Sequence, residues 1–438
     1  MNKIKELIQK EYDRQHNTLG MIPSENYTSK EVREAVGSVF MHKYSEGYPA
    51  ARYYEGNEVI DELESFVRDM AVKVMTKHDS KEVQNNWHAN VQVLSGSAAN
   101  LAVYTSILEP GDKILSMYLP DGGHLSHGWS YSSKKDRDDS LESEGIAYKG
   151  GKKKVNFTSK VFDIVQYKTD PSTFVFDYDE IEKLAIQEKP KLIITGGTAY
   201  PRDIDYKRMR EIADKVGAYY HADVAHEAGL IAGGAVPSPF KYADFVTFTT
   251  HKTLRGPKGA VAMCKREFAK KLDRAVFPGL QGGPFNHTIA GVGQALIEAD
   301  TKEFQDYANQ VVKNAQILAE ELVNAGLNVI TGGTDKHLVL VEVLSAGVSG
   351  ADFASKLAEI GIIANKNTVP YEKGSPVDPS GLRLGTPILT TRGMKEDAIK
   401  EVAEIIVEVF NMLKNNEDQY GDLRLKVDGL CQKYKLPN

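Results

Sequence analysis

Short apolar runs of strand length alternate with segments of helical periodicity through the first two thirds of the chain, and this alternation most narrows what it can fold into. The runs lie at residues 89–94, 113–117, 161–165, 191–195, 218–222 and 245–249. Helical segments separate several of them, at 178–187 and 206–216, and a further one at 58–74 carries Ile60, Leu63, Phe66, Val67 and Met70 on one side. Alternation at this spacing predicts an α/β domain with a mainly parallel sheet flanked by helices. Past Gly283 the character changes to a long helical stretch at 289–326, strand-like runs at 329–330 and 337–343, and helices near 350–360 and 395–415. That pattern predicts a smaller C-terminal α+β domain, which a chain of 438 residues has room for. Ile4, Leu7, Ile8 and Tyr12 recur at helical spacing and predict an amphipathic arm. The expected divisions are an arm at 1–18, a large domain at 19–286 and a small domain at 287–438. Residues 129–155 are polar, glycine-spotted and without periodicity, which predicts an exposed excursion from the large domain.

Composition excludes several classes. A formal charge of −6, with no basic run beyond Lys152–Lys154, gives nucleic acid or any other polyanion little attraction. Cys264 and Cys431 are the only cysteines, too few for a disulfide framework, which suits a reducing cytoplasm. No apolar stretch reaches the length of a membrane span, and the charged N-terminus lacks a signal-peptide core. The Cys and His spacing matches no metal motif, and the phosphate-loop and dinucleotide fingerprints are absent.

The chemistry centres on Lys252, just past the strand-like run 245–249 and after Thr249, Thr250 and His251. A lysine at a strand's end can lose its proton and form a Schiff base, although most lysines in such loops are simply solvated. Asp223, ending the run 218–222, can hold a pyridine nitrogen protonated, and His226 can lie over the same ring; alone, Asp223 would serve equally as a helix cap. Ser95, Gly96 and Ser97 open a helix with N–H groups and hydroxyls for an anion, or cap it for structural reasons only. Gly279, Gly282 and Gly283 permit close backbone approach to a phosphate, or a tight turn. Together these point to pyridoxal 5'-phosphate. Arg383, flanked by apolar residues and glycine, can grip a carboxylate with parallel hydrogen bonds. Tyr44, Tyr48, Tyr53 and Tyr54 crowd one segment with Glu46, a candidate acid/base, and packing alone accounts poorly for the whole set. His124 can stack on a cofactor ring or be an ordinary loop histidine.

These motifs, in this order, resemble the serine hydroxymethyltransferase family from about Leu19 to the final helices. The resemblance rests on Ser24-Glu-Asn26, Lys43 to Tyr54, Ser95-Gly-Ser97, Gly122 to Gly128, Asp223 to Gly229, Thr249 to Pro257, Phe277 to Pro284 and Arg383 to Thr390. It implies a fold-type I pyridoxal enzyme, a homodimer or larger, whose sites are shared between subunits. Lys252 should anchor the cofactor, Asp223 hold its nitrogen and His124 stack on it, with Ser97, Thr198, His226 and His251 lining it. Gly282 and Gly283 should reach the phosphate of the neighbouring subunit. Ser24 and Arg383 should hold the carboxylate of serine or glycine, with Tyr54 nearby and Glu46 handling protons. Leu119, Gly123, Leu125, Asn367, Ser375, Pro376 and Val377 fall where the family binds tetrahydrofolate.

The implied reaction is retro-aldol cleavage of serine with transfer of its one-carbon unit to tetrahydrofolate. The chain departs from the family pattern at Asp121, where His is usual, at Ala98, Lys258 and Val377, and in the length of its 129–155 excursion. Asp121, Val377 and the excursion fall on the expected folate side, so they bear on the co-substrate more than on the pyridoxal chemistry. Rival readings are a folate-independent aldolase or transaldolase for β-hydroxy amino acids such as threonine, and a non-catalytic scaffold or RNA-binding homologue.

Overall fold

The computed structural model describes residues 2–132, 145–375 and 377–437. The chain divides into two compact units, Thr28–Gln305 and a second made of Met1–Tyr27 with Asp306–Asn438. These divisions differ from the expected ones at 18 and 286. Leu19–Gly20 pairs in parallel with Ile362–Ile363, which draws the start of the chain into the C-terminal unit. The Asn286–Ala299 helix stays with the large unit because its glycines allow close crossing: a Cβ on Gly291 or Gly293 would sit 2.6 Å from Val36 or Val67. The expected unbroken helix at 289–326 is two helices, Asn286–Ala299 and Lys302–Asn324. Thr301 caps the second by accepting from the Phe304 N–H at 3.2 Å.

The large unit is built on eight strands, β1 Trp87–Asn90, β2 Lys113–Met117, β3 Ala147–Tyr148, β4 Asp163–Tyr167, β5 Leu192–Thr195, β6 Tyr219–Asp223, β7 Phe245–Thr249 and β8 Ala260–Lys265. Their order across the sheet is β1-β8-β7-β6-β5-β2-β4-β3. Strands β4, β2, β5, β6 and β7 run parallel. Their residues are buried almost without alternation, as a sheet covered on both faces requires. The crossover helices Tyr178–Glu188 and Tyr206–Val216 begin at Asp177 and Asp205, whose carboxylates accept first-turn N–H groups. The mainly parallel α/β sheet is the fold class expected from sequence.

The excursion is the main surprise of the fold. Its flanks are built into the unit: β3 pairs antiparallel with β4 and closes one edge of the sheet. Ser130–Tyr131 pairs with Lys153–Lys154, and the Tyr148 hydroxyl donates to the Ser130 carbonyl at 3.0 Å. Trp129 stacks on Tyr131 and Tyr148. Polar composition concealed these contacts because a few aromatic residues carry them. Residues 133–144 of the excursion lie outside the described residues.

In the second unit, four antiparallel strands run in the order Asn328–Val329, Leu338–Glu342, Gly381–Gly385, Asn365–Asn367. Helices Gly350–Glu359 and Glu396–Lys414 contribute Phe353, Leu357, Ile399, Val402 and Ile406 to the core beneath this sheet. Buried Arg392 donates to the carbonyls of Gln15, His16, Thr18, Cys431 and Tyr434, and so satisfies the ends of the Lys3–His16 and Gly421–Lys433 helices. The Lys3–His16 helix buries none of its own residues, and Ile4, Leu7, Ile8 and Tyr12 are exposed. Among the described residues no helix is long and apolar enough to cross a membrane.

Candidate active site

The carboxyl ends of the parallel strands gather most of the candidate residues, at the place where open α/β sheets hold their ligands. Strand β2 leads to Leu119–Gly128, β5 to Thr198, β6 to Asp223 and His226, and β7 to His251 and Lys252. Two backbone crossings there admit only glycine. A Cβ on Gly196, whose φ is +126°, would lie 2.0 Å from the Asp223 carbonyl, and one on Gly123 would lie 2.3 Å from the Met117 carbonyl.

Asp223 is the focus of a buried polar chain in which every donor points the same way. The Thr247 hydroxyl donates to Asn100 Oδ1 at 2.6 Å, so it accepts from His221 Nε2 at 2.7 Å. The Asn100 amide donates to Asp223 Oδ2 at 2.7 Å and to Ser126 Oγ at 2.9 Å. His127 Nε2 donates to the same Asp223 oxygen at 2.9 Å, and the Ala225 N–H donates to Oδ1 at 3.1 Å. Burial alone pushes the Asp223 carboxyl up. The hydrogen bond from His127 more than reverses this, and holds it well below the usual carboxylate range. Asp223 is therefore a fixed anion aimed from the end of β6.

His124 and His251 are held toward the neutral form. Burial draws His124 down to about 4, and its Nδ1 accepts from the Ser126 N–H, which leaves any ring proton on Nε2. Burial together with the charges of Lys258 and Lys252 draws His251 down to about 3. Lys252 is 8% exposed. Thr198 Oγ1 lies 3.4 Å from His226 Nε2, and Thr253 donates to the His226 carbonyl, fixing that residue on the loop after β6. Ser95 caps the Gly96–Ile107 helix by accepting from the Ala98 N–H. A Cβ on Gly96 would stand 2.7 Å from Thr249, so this helix start abuts the end of β7. The His124, His127 and Asp223 ligand atoms lie within 4.8 Å of one another, a spacing a metal ion could bridge; the hydrogen bond from His127 to Asp223 is the contact present.

A second cluster gathers the tyrosine-rich segment with the glycine turn. Glu46, Tyr53, Phe277 and the run 278–282 line a cavity of about 590 Å³. A Cβ on Gly282 would come within 3.3 Å of Glu46 Oε1, and one on Gly283 within 3.2 Å of the Tyr44 ring. Tyr44 and Tyr54 pair at 5.7 Å between ring centroids. In the second unit, buried Arg383 donates from Nε to Asn365 Oδ1 at 3.1 Å, and burial draws its guanidinium down to about 10, still charged at neutral pH. Ser24 lies on the same unit, next to Pro23, whose Cα a Cβ on Gly385 would approach within 2.5 Å.

A fixed anion, a buried amine, a neutral flat ring and a capped helix start are the groups that pyridoxal phosphate needs, and residues of this type fit it. Comparison with known proteins gives the family. The family model for serine hydroxymethyltransferase matches residues 1–406. The chain is 46% identical over 434 residues to the serine hydroxymethyltransferase of Koribacter versatilis, covering 99% of this chain and 94% of that protein. It is 47% identical over 432 residues to that of Coprothermobacter proteolyticus, covering 99% and 96%. The chain belongs to the serine hydroxymethyltransferase family.

The residues of the expected folate side lie in varied surroundings. Leu125 is half exposed and Leu119 partly so, while Gly123 is buried. Asn367 ends a strand with its amide on the Thr368 carbonyl, and Ser375 accepts from the Asp378 N–H at 3.0 Å. Val377 is exposed, and Pro376 lies outside the described residues. Asp121 is buried and accepts from both the N–H and the hydroxyl of Thr169, at 2.8 and 2.9 Å. It ties β2's turn to the end of β4, so this departure from the family pattern has a structural use. Sequence reading missed His127, Asn100, Thr247 and His221. An asparagine among the alanines of a buried helix face was the signal that could have found Asn100.

Proposed function

We propose that this chain converts serine and tetrahydrofolate reversibly to glycine and 5,10-methylenetetrahydrofolate, as a cytoplasmic enzyme using pyridoxal 5'-phosphate. The observation that carries this reading is Asp223, buried at the end of β6 and held ionised by His127 and Asn100. Pyridoxal phosphate, when bound, supplies an electron sink for the pair left on Cα as the Cα–Cβ bond of serine breaks.

The chain's own residues do the rest. Lys252 would anchor the cofactor covalently, and Asp223, fixed as an anion, would accept a hydrogen bond from the ring N–H and so keep that nitrogen protonated. His124 offers an uncharged ring for stacking, so it adds no positive charge to compete with that proton. Ser95, Gly96 and Ser97 present hydroxyls and helix-start N–H groups to the phosphate. Thr198, His226 and His251 line the same site. Arg383 and Ser24 take the amino-acid carboxylate, the guanidinium by two parallel hydrogen bonds. Glu46 accepts the hydroxyl proton of serine and returns it during one-carbon transfer, with Tyr54 and Tyr44 beside it. Leu119, Gly123, Leu125, Asn367, Ser375, Pro376 and Val377 form the folate contacts.

A homodimer completes the site: Gly282 and Gly283 of one copy serve the phosphate held by the other. Exposed Val39, Tyr44, Tyr53, Tyr54 and Phe285 support this, since side chains so apolar call for a covering surface. The deciding experiment measures serine cleavage with and without tetrahydrofolate. Strong acceleration by tetrahydrofolate is expected, because capture of the one-carbon unit draws the cleavage forward. Cleavage indifferent to tetrahydrofolate, with threonine cleaved well, would replace this reading by a folate-independent aldolase.

A further inference from the structure

Behind the exposed tyrosines of the Glu46 segment lies a buried polar knot that no step above uses. The Arg52 side chain, 4% exposed, donates from Nη1 to the carbonyls of Ser45 and Gly47, each at 2.8 Å. Those two residues flank Glu46. The same guanidinium reaches Glu64 Oε2 at 2.7 Å and Asp61 Oδ1 at 2.8 Å, both on the Glu58–Thr76 helix. Gln92 Nε2 donates to both Glu64 oxygens at 3.0 Å and to the Gly47 carbonyl at 2.9 Å. The Gln92 carbonyl in turn accepts from Gln281 Nε2 at 2.6 Å, beside Gly282. Three elements thus meet at two residues: the Glu46 segment and the helix on the side chains of Arg52 and Gln92, and the glycine turn on the Gln92 backbone carbonyl.

Such a knot is a poor source of stability, because desolvating an ion pair offsets most of what the pair returns. What it enforces is one geometry. Any slide of the Glu46 segment would leave Glu64 or Arg52 buried without its partner. The orientation of Gln92 is equally constrained. Its Oε1 is buried without a hydrogen-bond partner, and turning the amide over would set that oxygen against the Glu64 carboxylate. The segment has independent ties as well, through Ser45 Oγ to Asn286 at 2.7 Å and Asn286 Nδ2 to the Lys43 carbonyl at 2.7 Å. Loss of the knot should therefore loosen Glu46 without unfolding the segment.

We infer that Glu64 and Gln92 are positioning residues that hold Glu46 in register with the Gly282–Gly283 turn. The inference rests on the reading of Glu46 as proton carrier. The test uses the holoenzyme and the variants Gln92→Met and Glu64→Gln, each alone and combined with Glu46→Gln. Bound-cofactor absorbance and glycine affinity should stay at wild-type values in both. Gln92→Met should lower kcat for tetrahydrofolate-dependent serine cleavage by about tenfold, since small misplacements near the reacting atoms are costly. In the Glu46→Gln background the same change should cost less than about twofold, as expected for residues that act as one unit. Glu64→Gln, which keeps shape and removes charge, should show the same non-additivity with a smaller drop. Equal losses in both backgrounds, no loss at all, or failure of both variants to load pyridoxal phosphate would each overturn the inference. If Glu46→Gln itself turns over normally, the reading of Glu46 fails instead, and that result is seen before any knot variant is made.

Discussion

The Asp223 centre and the Glu46 segment are both polar clusters of the large unit, yet they are finished to different degrees. Around Asp223 the donors run from His221 through Thr247 and Asn100 to the carboxylate, and all are buried. Around Glu46 the supporting knot is buried but the tyrosines beside the carboxylate are exposed, Tyr53 at 75% and Tyr44 at 64%. The first cluster sets an electrostatic state within one chain. The second sets a backbone position and presents its side chains outward. A pyridoxal site needs both: a permanent anion that must not vary, and groups that meet substrate at an edge.

The widest test of this contrast removes the amine. Lys252→Ala should abolish multiple turnover and the visible absorbance of the lysine-bound cofactor; a variant with normal turnover would remove the Asp223 centre from the chemistry altogether. Next in size is the sharing of the Glu46 side. Lys252→Ala and Gly283→Val chains should each be inactive, and mixing them under subunit exchange should restore roughly a quarter of wild-type activity, because half of the dimers are then hybrids with one intact site. No recovery despite exchange confirmed by mass would show that each chain's glycine turn serves its own site.

His127→Phe probes the anion more finely. His127 Nδ1 is buried without a hydrogen-bond partner, so a phenyl ring of similar shape loses only the bond to Asp223. A hydrogen bond to a charged group contributes about 1.5–3 kcal/mol, so pyridoxal phosphate affinity should fall by about tenfold or more. The loss should deepen as pH falls. Wild-type Asp223 is ionised throughout the mildly acidic range, whereas the variant's carboxyl, freed of His127, rises under its own burial. Equal affinity at pH 7 and pH 5 in the variant would show that Asn100 alone suffices.

The two regions also differ in how far sequence revealed them. The parallel strands were legible because burial on both faces makes them plain apolar runs, and Lys252 and Asp223 were legible because each ends such a run. Their supports were not. Thr247 lies inside β7, where a hydroxyl is unremarkable, and His127 shares a motif with His124, which drew the cofactor role. Nothing local marks Arg52 and Glu64 as partners, since their pairing depends on how a segment folds back on a helix. The packing of the excursion's flanks was not legible because Tyr148 and Trp129, few among many polar residues, carry it. The boundary at 27 was illegible for a similar reason: pairing of Leu19 with Ile362 joins parts of the chain that no local pattern connects.

The smallest expected effect separates the regions by acid. His221 is buried and drawn down to about 3, while an unfolded histidine titrates near 6.5. Below that value the unfolded chain binds a proton that the folded chain refuses, so this contribution to stability is fully present above about pH 6.5 and is lost as pH falls toward 3. His124, drawn down to about 4, acts in the same direction. The Glu46 knot contains no histidine; Asp61 within it is held below the ordinary carboxylate value and gives nothing up until stronger acid, while burial pushes Glu64 up, which favours the fold as pH falls. Urea unfolding of the apo-protein at pH 7 and pH 5 should therefore show a loss that His221→Gln reduces by about 1–2 kcal/mol, one buried imidazole's share over that interval. Asp61→Asn, in the knot, should leave the same difference unchanged, because Asp61 is ionised in both states across that interval. If His221→Gln keeps the full acid loss, the chain of donors leading to Asp223 does not begin from a neutral His221, and the two regions are less distinct than their burial implies.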